Sequence, residues 1–506
     1  MNERNSTASY SETDELTFYT GFWDLSNGST KTTLSESQSK RRLVGLWGTA
    51  NLGWYDKVFI DYNARNDWSS TLPIDANSFF YQGVTGSYIF SQDIPRNPVL
   101  TFGKLRVAYG QTGNDASPYL TSVNYVQASS RVYYGTGVSQ FPMNGTNSFI
   151  KSTTIGSSSL KPEMTTEFEV GMNLGFLNGR IGIDLTYYNR QTNDQIFTLP
   201  VDPACGYSYQ VTNFGKVENK GWEIVLNTTP IRTKNWKWDL NFNWAKNDNK
   251  VVSLPESLEG GKVSIYSFSA GSDAVYMYAE EGKPMGEFYT YQPIRNDKGQ
   301  IVVGSNGLPI LSTEIADTGK NMNNKWTAGV NTSLSAYGFY ASAQLDIRYG
   351  GYMFSRTKNL MQFTGNGITS TMNNRKPFVI PNSVYEDGTP NTTPIRQADG
   401  TYQDYFDTGE LLGGEAYLLD RSYIKLRNIT VGYNVPTKWT RYVYLSGASI
   451  SFFVNNVFTW TAKDNRYVDP ENTTVGMSSG DLATQFGELY SNPGCRTYGF
   501  NVNVKF

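Results

Sequence analysis

From Thr497 to Phe506 the chain alternates without a break. Tyr498, Phe500, Val502, Val504 and Phe506 take the even positions, while Thr497, Gly499, Asn501, Asn503 and Lys505 take the odd ones. A period of two puts successive side chains on opposite faces of an extended strand, and no amphipathic helix can produce it. The same period recurs upstream. Phe168, Val170, Met172, Leu174 and Phe176 alternate with Glu169, Gly171, Asn173 and Gly175. Asn178-Gly179 then supplies a tight hairpin turn, and Ile181, Ile183, Leu185 and Tyr187 return. Trp222, Ile224 and Leu226 lead past Pro230 to Trp236, Trp238, Leu240, Phe242 and Trp244. Trp326, Ala328, Val330 and Leu334 turn at Tyr337-Gly338 into Phe339, Ala341, Ala343, Leu345, Ile347 and Tyr349. The alternate face of that last strand carries Ser342, Gln344, Asp346 and Arg348, which suits a solvated sheet face or a water-filled lumen.

The connections alternate too. Long ones cover about 194–220, 250–324, 350–420 and 460–495, and short ones lie near 177–179, 230–234, 337 and 436–445. Ordinary domains hold few structureless loops beyond ~12–15 residues. Here every second connection exceeds that length, always at the same end of the strands, as in outer-membrane barrels with short periplasmic turns and long extracellular loops. The pattern predicts strands over 12–22, 41–52, 57–66, 81–90 and 101–111, then 164–176, 180–193, 221–229, 235–248, 325–336, 338–349, 421–435, 446–459 and 496–506. That makes about 14 strands of an all-β, antiparallel transmembrane barrel, with 112–163 left as a long connection. Trp222, Trp236, Trp244, Trp326, Tyr349, Tyr433, Trp439 and Trp460 fall near strand ends, where barrels carry aromatic girdles.

Composition removes several chemistries. The 506 residues contain no histidine, so His-based acid–base catalysis, nucleophile triads and His-containing metal sites are excluded. Two cysteines make neither a four-cysteine zinc site nor a disulfide scaffold. A net charge of -2 offers no basic field for nucleic acid. No apolar run is long enough for a transmembrane helix, which leaves a β-barrel open. The first residues, Met1 to Ser6, lack the apolar core of a signal peptide, so the expectation is a cytoplasmic chain or one part of a precursor.

Six segments stand out as motifs: Leu105-Arg106-Val107-Ala108-Tyr109-Gly110-Gln111-Thr112-Gly113-Asn114, Leu160-Lys161-Pro162-Glu163 with Glu167, Asn219-Lys220-Gly221-Trp222-Glu223, Ser422 to Tyr433, Asn455-Asn456-Val457-Phe458 and Asp469-Pro470-Glu471. They resemble segments of the SusC/RagA-like TonB-dependent outer-membrane transporters. Their order and spacing extend over most of 40–506. The resemblance implies a 22-stranded plugged barrel, of which 1–506 is the C-terminal portion, with the plug and N-terminal domain absent from this chain. It implies active import of oligosaccharides or oligopeptides, energised through TonB by way of the missing N-terminal part. It also implies a SusD-like surface lipoprotein as lid, outer-membrane lipid around the wall, and neither cofactor nor catalysis. A passive porin or surface adhesin barrel, and a soluble multi-sandwich glycan-binding protein, are the competing readings.

Candidate ligand-binding rings lie in the two longest connections: Tyr266, Tyr276, Tyr278, Tyr289 and Tyr291 in one, Tyr352, Phe354, Phe363, Phe378 and Tyr385 in the next. Aromatic faces stack on sugar rings or peptide side chains, and the same rings also serve to pack loops together. Phe506 matches the terminal aromatic of an assembly signal. Asp464, Asp469 and Glu471 offer clustered oxygens of the kind calcium takes, though in the resembling family that segment shapes a loop. The pairs Asp184/Asp194 and Glu280/Glu281 have the form of a two-carboxylate hydrolase site, against which stand lumen-facing or solvated acids. Cys205 and Cys495 are expected on the long-connection side, their pairing left open.

Overall fold

The computed structural model describes residues 2–12, 33–95, 97–127, 132–134, 137–139, 149–213, 215–255, 258, 261–268, 274–473, 482–492 and 494–506. Its main element is one sheet of fourteen strands, each antiparallel to the next in sequence. These are β1 (Asn2–Glu12), β2 (Thr33–Trp54), β3 (Val58–Ser69), β4 (Ser78–Tyr88), β5 (Leu100–Asn114), β6 (Glu163–Phe176) and β7 (Ile181–Asn193). They continue with β8 (Lys216–Arg232), β9 (Trp236–Ser253), β10 (Trp326–Ala336), β11 (Phe339–Tyr349), β12 (Tyr423–Val435), β13 (Gly447–Thr461) and β14 (Thr497–Lys505). Most strands outrun the spans expected from alternation. Of the strand expected at 12–22, Glu12 closes β1 and the remainder lies outside the described residues.

The two faces of this sheet have opposite chemistry. Leu46, Leu52, Ile60, Leu105, Val107, Phe168, Val170, Ile450, Phe452, Phe500 and Val502 are exposed on one face. The other face carries ion pairs such as Arg65–Asp67, Arg106–Asp184 and Arg427–Asp346. An apolar exposed area of this extent is foreign to a soluble surface, and one continuous sheet replaces the paired sheets of a sandwich. Phe339 and Tyr349 bracket the apolar face of β11. At about 3.3 Å per residue and a tilt near 40°, the ten steps between them span about 25 Å, the height of a membrane barrel's apolar band. Ring pairs mark both edges: Trp236–Tyr337 and Phe339–Tyr433 at the short-turn end, Trp326–Tyr349 and Phe458–Trp460 at the other.

The described residues of the long connections are folded. Lys262–Phe268, Val275–Glu280, Glu287–Thr290 and Ala316–Asn321 form a four-stranded sheet within the β9–β10 connection. The β11–β12 connection supplies helices at Arg356–Phe363 and Thr401–Asp407. Val263, Val275, Met277 and Phe288 from the first pack with Phe354, Tyr417 and Leu418 from the second and Phe486 from the β13–β14 connection. A second core joins Ile301 and Val303 to Ile380, Ile395, Tyr402, Tyr405 and Phe406. The short strands described between 115 and 162 pair outside the main sheet.

Candidate functional site

The polar face of the wall is built around a few charged hubs. Arg106, on β5, reaches Glu169 at 3.1 Å, Asn173 at 2.8 Å and Asp184 at 2.9 Å on β6 and β7, and also Thr186. Gly171 leaves it room, since a Cβ there would collide with the guanidinium. Where β12 and β13 meet, Arg427 is skipped in the pairing with both neighbours. This bulge re-aims its side chain at Asp346 on β11 and Glu471 in the β13–β14 connection. Lys425, nearly buried, donates to Asp469 at 2.6 Å and Glu471 at 2.5 Å. Burial would raise the Glu471 carboxyl, but hydrogen bonds from Arg427, Lys425 and Tyr423 hold it at about 2. Asp-Pro-Glu therefore clamps its connection onto the wall.

Between these hubs runs an uncharged row. Asn227, Asn241, Asn331, Gln344, Asn428 and Asn455 are direct cross-strand partners from β8 to β13, and Asn455 faces Thr497 on β14. Asn428 donates to Asn455 at 2.6 Å, and Asn455 to Thr497 at 3.2 Å. Five of these amides, with Thr229, Ser333 and Ser342, line a depression of about 430 Å³. Strand parity shows which face each amide is on except Asn428, which the bulge at Arg427 returns to the polar face; their alignment at one height needed the registers.

In the β9–β10 connection the structure brings four of the expected rings together. Val275, Met277 and Ala279 point into the core, so Tyr276 and Tyr278 stand on the other face of their strand. Tyr289 pairs with Tyr276 across strands, and Tyr291 meets Tyr276 edge-on at 6.4 Å. Tyr278 and Tyr289 are 5.1 Å apart with Lys262 over both. Lys283 donates to Asp317 at 2.6 Å and to Tyr289 at 3.1 Å. Burial, then the hydrogen bond to Glu280, pushes the Tyr289 phenol up to about 12. Tyr289 is buried, and the other three rings are half-buried. Lys262, Lys283 and Asp317 carry no alternation or motif that would have singled them out, and Glu280, expected only as one of a carboxylate pair, serves Tyr289 and Lys283 instead.

The other expected rings lie elsewhere. Tyr266 packs on Phe486 at 4.8 Å, and Tyr352 packs against the same core under Lys320. Phe354 is part of that core, while Phe363 is exposed. Phe378 and Tyr385 pack on the second core, where Tyr385 bonds Thr393 at 2.7 Å. Phe506 is exposed, and its carbonyl accepts from Ser446 at 3.1 Å. Cys205 and Cys495 are exposed and free.

The carboxylate alternatives are absorbed by structure. Asp184 serves Arg106, and Asp194 lies ten residues further along, about 33 Å and well beyond a hydrolase pair's ~5–10 Å. Glu280 is bound by Lys283 at 3.0 Å and by Tyr289. Asp469 and Glu471 face ammonium and guanidinium groups, and Asp464 accepts the Asp420 N–H at 3.2 Å. Among the described residues no cluster of acids or cysteines has the form of a metal site.

The profile of the family described as TonB dependent receptor-like, beta-barrel matches residues 2–457. The chain belongs to that family. Its members are outer-membrane transporters. TonB-dependent receptor P26 of Formosa agariphila is 27% identical over 96% of this chain and 48% of its own length. TonB-dependent receptor SusC of Bacteroides thetaiotaomicron is 24% identical over 83% of this chain and 40% of its own. The RagAB peptide transporter structure superposes with a TM-score of 0.69 at 18% identity, over all of this chain and 55% of that one. The SusC/RagA-like resemblance stands on these relatives, and the chain spans about half the length of the curated ones it matches.

Proposed function

We propose that this chain is wall and extracellular-loop substance of an active outer-membrane importer for oligosaccharides or oligopeptides. The carrying observation is the division of one sheet into an apolar face and a face of ion pairs and amides. That division suits a wall between lipid and a hydrated lumen. The sheet's outer strands, β1 and β14, are not paired to each other among the described residues. They are the edges to which the remaining strands of a 22-stranded barrel would add, with a plug inside supplied by chain outside this sequence. The folded long connections would face the exterior, carry the Tyr276–Tyr278–Tyr289–Tyr291 row toward substrate, and seat a SusD-like lipoprotein. Phe506 would end the strand recognised at assembly.

Uptake of labelled oligosaccharide and oligopeptide mixtures by cells making the full-length transporter tests this, with and without TonB. Import of one class that disappears without TonB is expected. Import that persists without TonB would establish a passive porin instead.

A further inference from the structure

The connection 436–446 differs from its neighbours at the short-turn end. Those at 55–57, 177–180, 233–235 and 337–338 are plain reversals and the one at 89–99 holds a 3-10 turn at Phe90–Gln92, whereas this one coils into a helical turn at Thr437–Thr440 followed by a 3-10 turn at Arg441–Val443. Leu445 N–H bonds the Thr440 carbonyl at 3.0 Å and Tyr444 N–H the Arg441 carbonyl at 3.1 Å. Tyr444 closes the turn at φ 58, a left-handed backbone that favours glycine. A tyrosine held there presents its ring 94% exposed, beside exposed Trp439, Tyr442 and Val443. The segment contains Lys438 and Arg441 and no acidic residue. Neither cation has a carboxylate partner among the described residues, whereas at 89–99 Asp93 is paired with Lys57.

We propose that 436–446 is a lipid-binding anchor, its rings at headgroup level and Lys438 and Arg441 on the phosphates of anionic phospholipid. The inference rests on the membrane orientation proposed above. Trp and Tyr favour the boundary between hydrocarbon and water, because each joins an apolar ring to a polar tip. Paired cations at that level attract anionic headgroups, and guanidinium matches phosphate oxygens two at a time. The apolar band runs continuously into the segment. Phe339 and Tyr433 pack with tilted rings 4.5 Å apart at the end of β12, and exposed Phe506 lies beside Ser446 at its other end.

The test uses the full-length transporter in nanodiscs of phosphatidylethanolamine and phosphatidylglycerol, with Cys205 and Cys495 replaced by serine. Spin labels go on Tyr444→Cys, on Val502→Cys in the band, and on Tyr490→Cys, exposed in a long connection. A water-soluble nickel chelate should reach the label at 444 several-fold less than that at 490, while the label at 502 is reached least. Native mass spectrometry should show retained phosphatidylglycerol falling about ten- to thirty-fold in Lys438→Gln/Arg441→Gln. A label at 444 as open to nickel as that at 490, with 502 protected, overturns the anchor and leaves the membrane orientation standing. Exposure at 502 overturns both. Unchanged lipid retention in the double variant overturns the phosphate contact.

Discussion

Between Gln344 and Leu345 a single step along the chain carries the side chain from the amide row to the apolar face. Leu345 lies between Phe339 and Tyr349, near mid-height of the band. Leu345→Arg should therefore cost about 2–4 kcal/mol in lipid, and Gln344→Arg, on the hydrated face, close to nothing. Urea titration of the full-length transporter in vesicles checks this, and equal costs would refute the orientation. Glu287 behaves differently. Burial, then the charge of Asp317, raises its carboxyl from 4.5 to about 7. The folded loop sheet thus keeps a proton that an unfolded one loses near 4.5. The resulting stability is complete below pH ~4.5 and is lost as pH rises through about 7. Amide exchange across 275–290 should accelerate over that window, and Glu287→Gln should flatten the response. At this scale alternation alone oriented the wall side chains. It could not show what Arg106 touches, because Glu169 and Asp184 stand 63 and 78 residues away in sequence.

Among the elements, the strands were legible because each repeats its own pattern locally, whereas the long connections take their structure from partners far apart. Val303, Asn306, Gly307 and Pro309 recur at the same spacing as Val384, Asp387, Gly388 and Pro390. Val303 bridges Pro309, and Val384 bridges Pro390, so each set is a small reversal. Their strands Ile301–Val303 and Ser383–Tyr385 then pair in parallel. Alternation at period two does not register that repeat, and the pairing that joins the two connections is set by residues far apart in sequence. The core beneath it is small and closed by Tyr402, Tyr405 and Phe406. Phe406→Ala should remove about 3–5 kcal/mol from this unit alone. Limited proteolysis should then cut within 377–407 while heat-modified gel mobility of the wall is unchanged. Loss of that mobility would show that the unit and the wall fold together.

For the molecule as a whole, the wall and the loop body make separable demands, and a deletion can address one without the other. Excising all of 350–420 would strip Phe354, Tyr417 and Leu418 from the core they share with the β9–β10 connection. Any lost activity would then report general collapse. Residues 293–311 offer a cleaner cut, because Gln292 and Ser312 are hydrogen-bonded across the base, Ser312 N–H to the Gln292 carbonyl at 2.8 Å. The excised segment folds on itself, with Ile310 N–H to Val302 at 3.0 Å and Val302 N–H to Ile294 at 2.9 Å. Replacing 293–311 by a two-residue turn uncovers Ile380 and Ile395 and unmakes the paired reversals, but leaves β9, β10 and the first loop core intact. If these reversals seat the lid lipoprotein, an interface of at least ~1,000 Å² loses its framework. The shortened full-length transporter should reach the outer membrane in normal amount, fail to copurify the lipoprotein and lose uptake. Retention of both lipoprotein and uptake would show that the reversals seat something else.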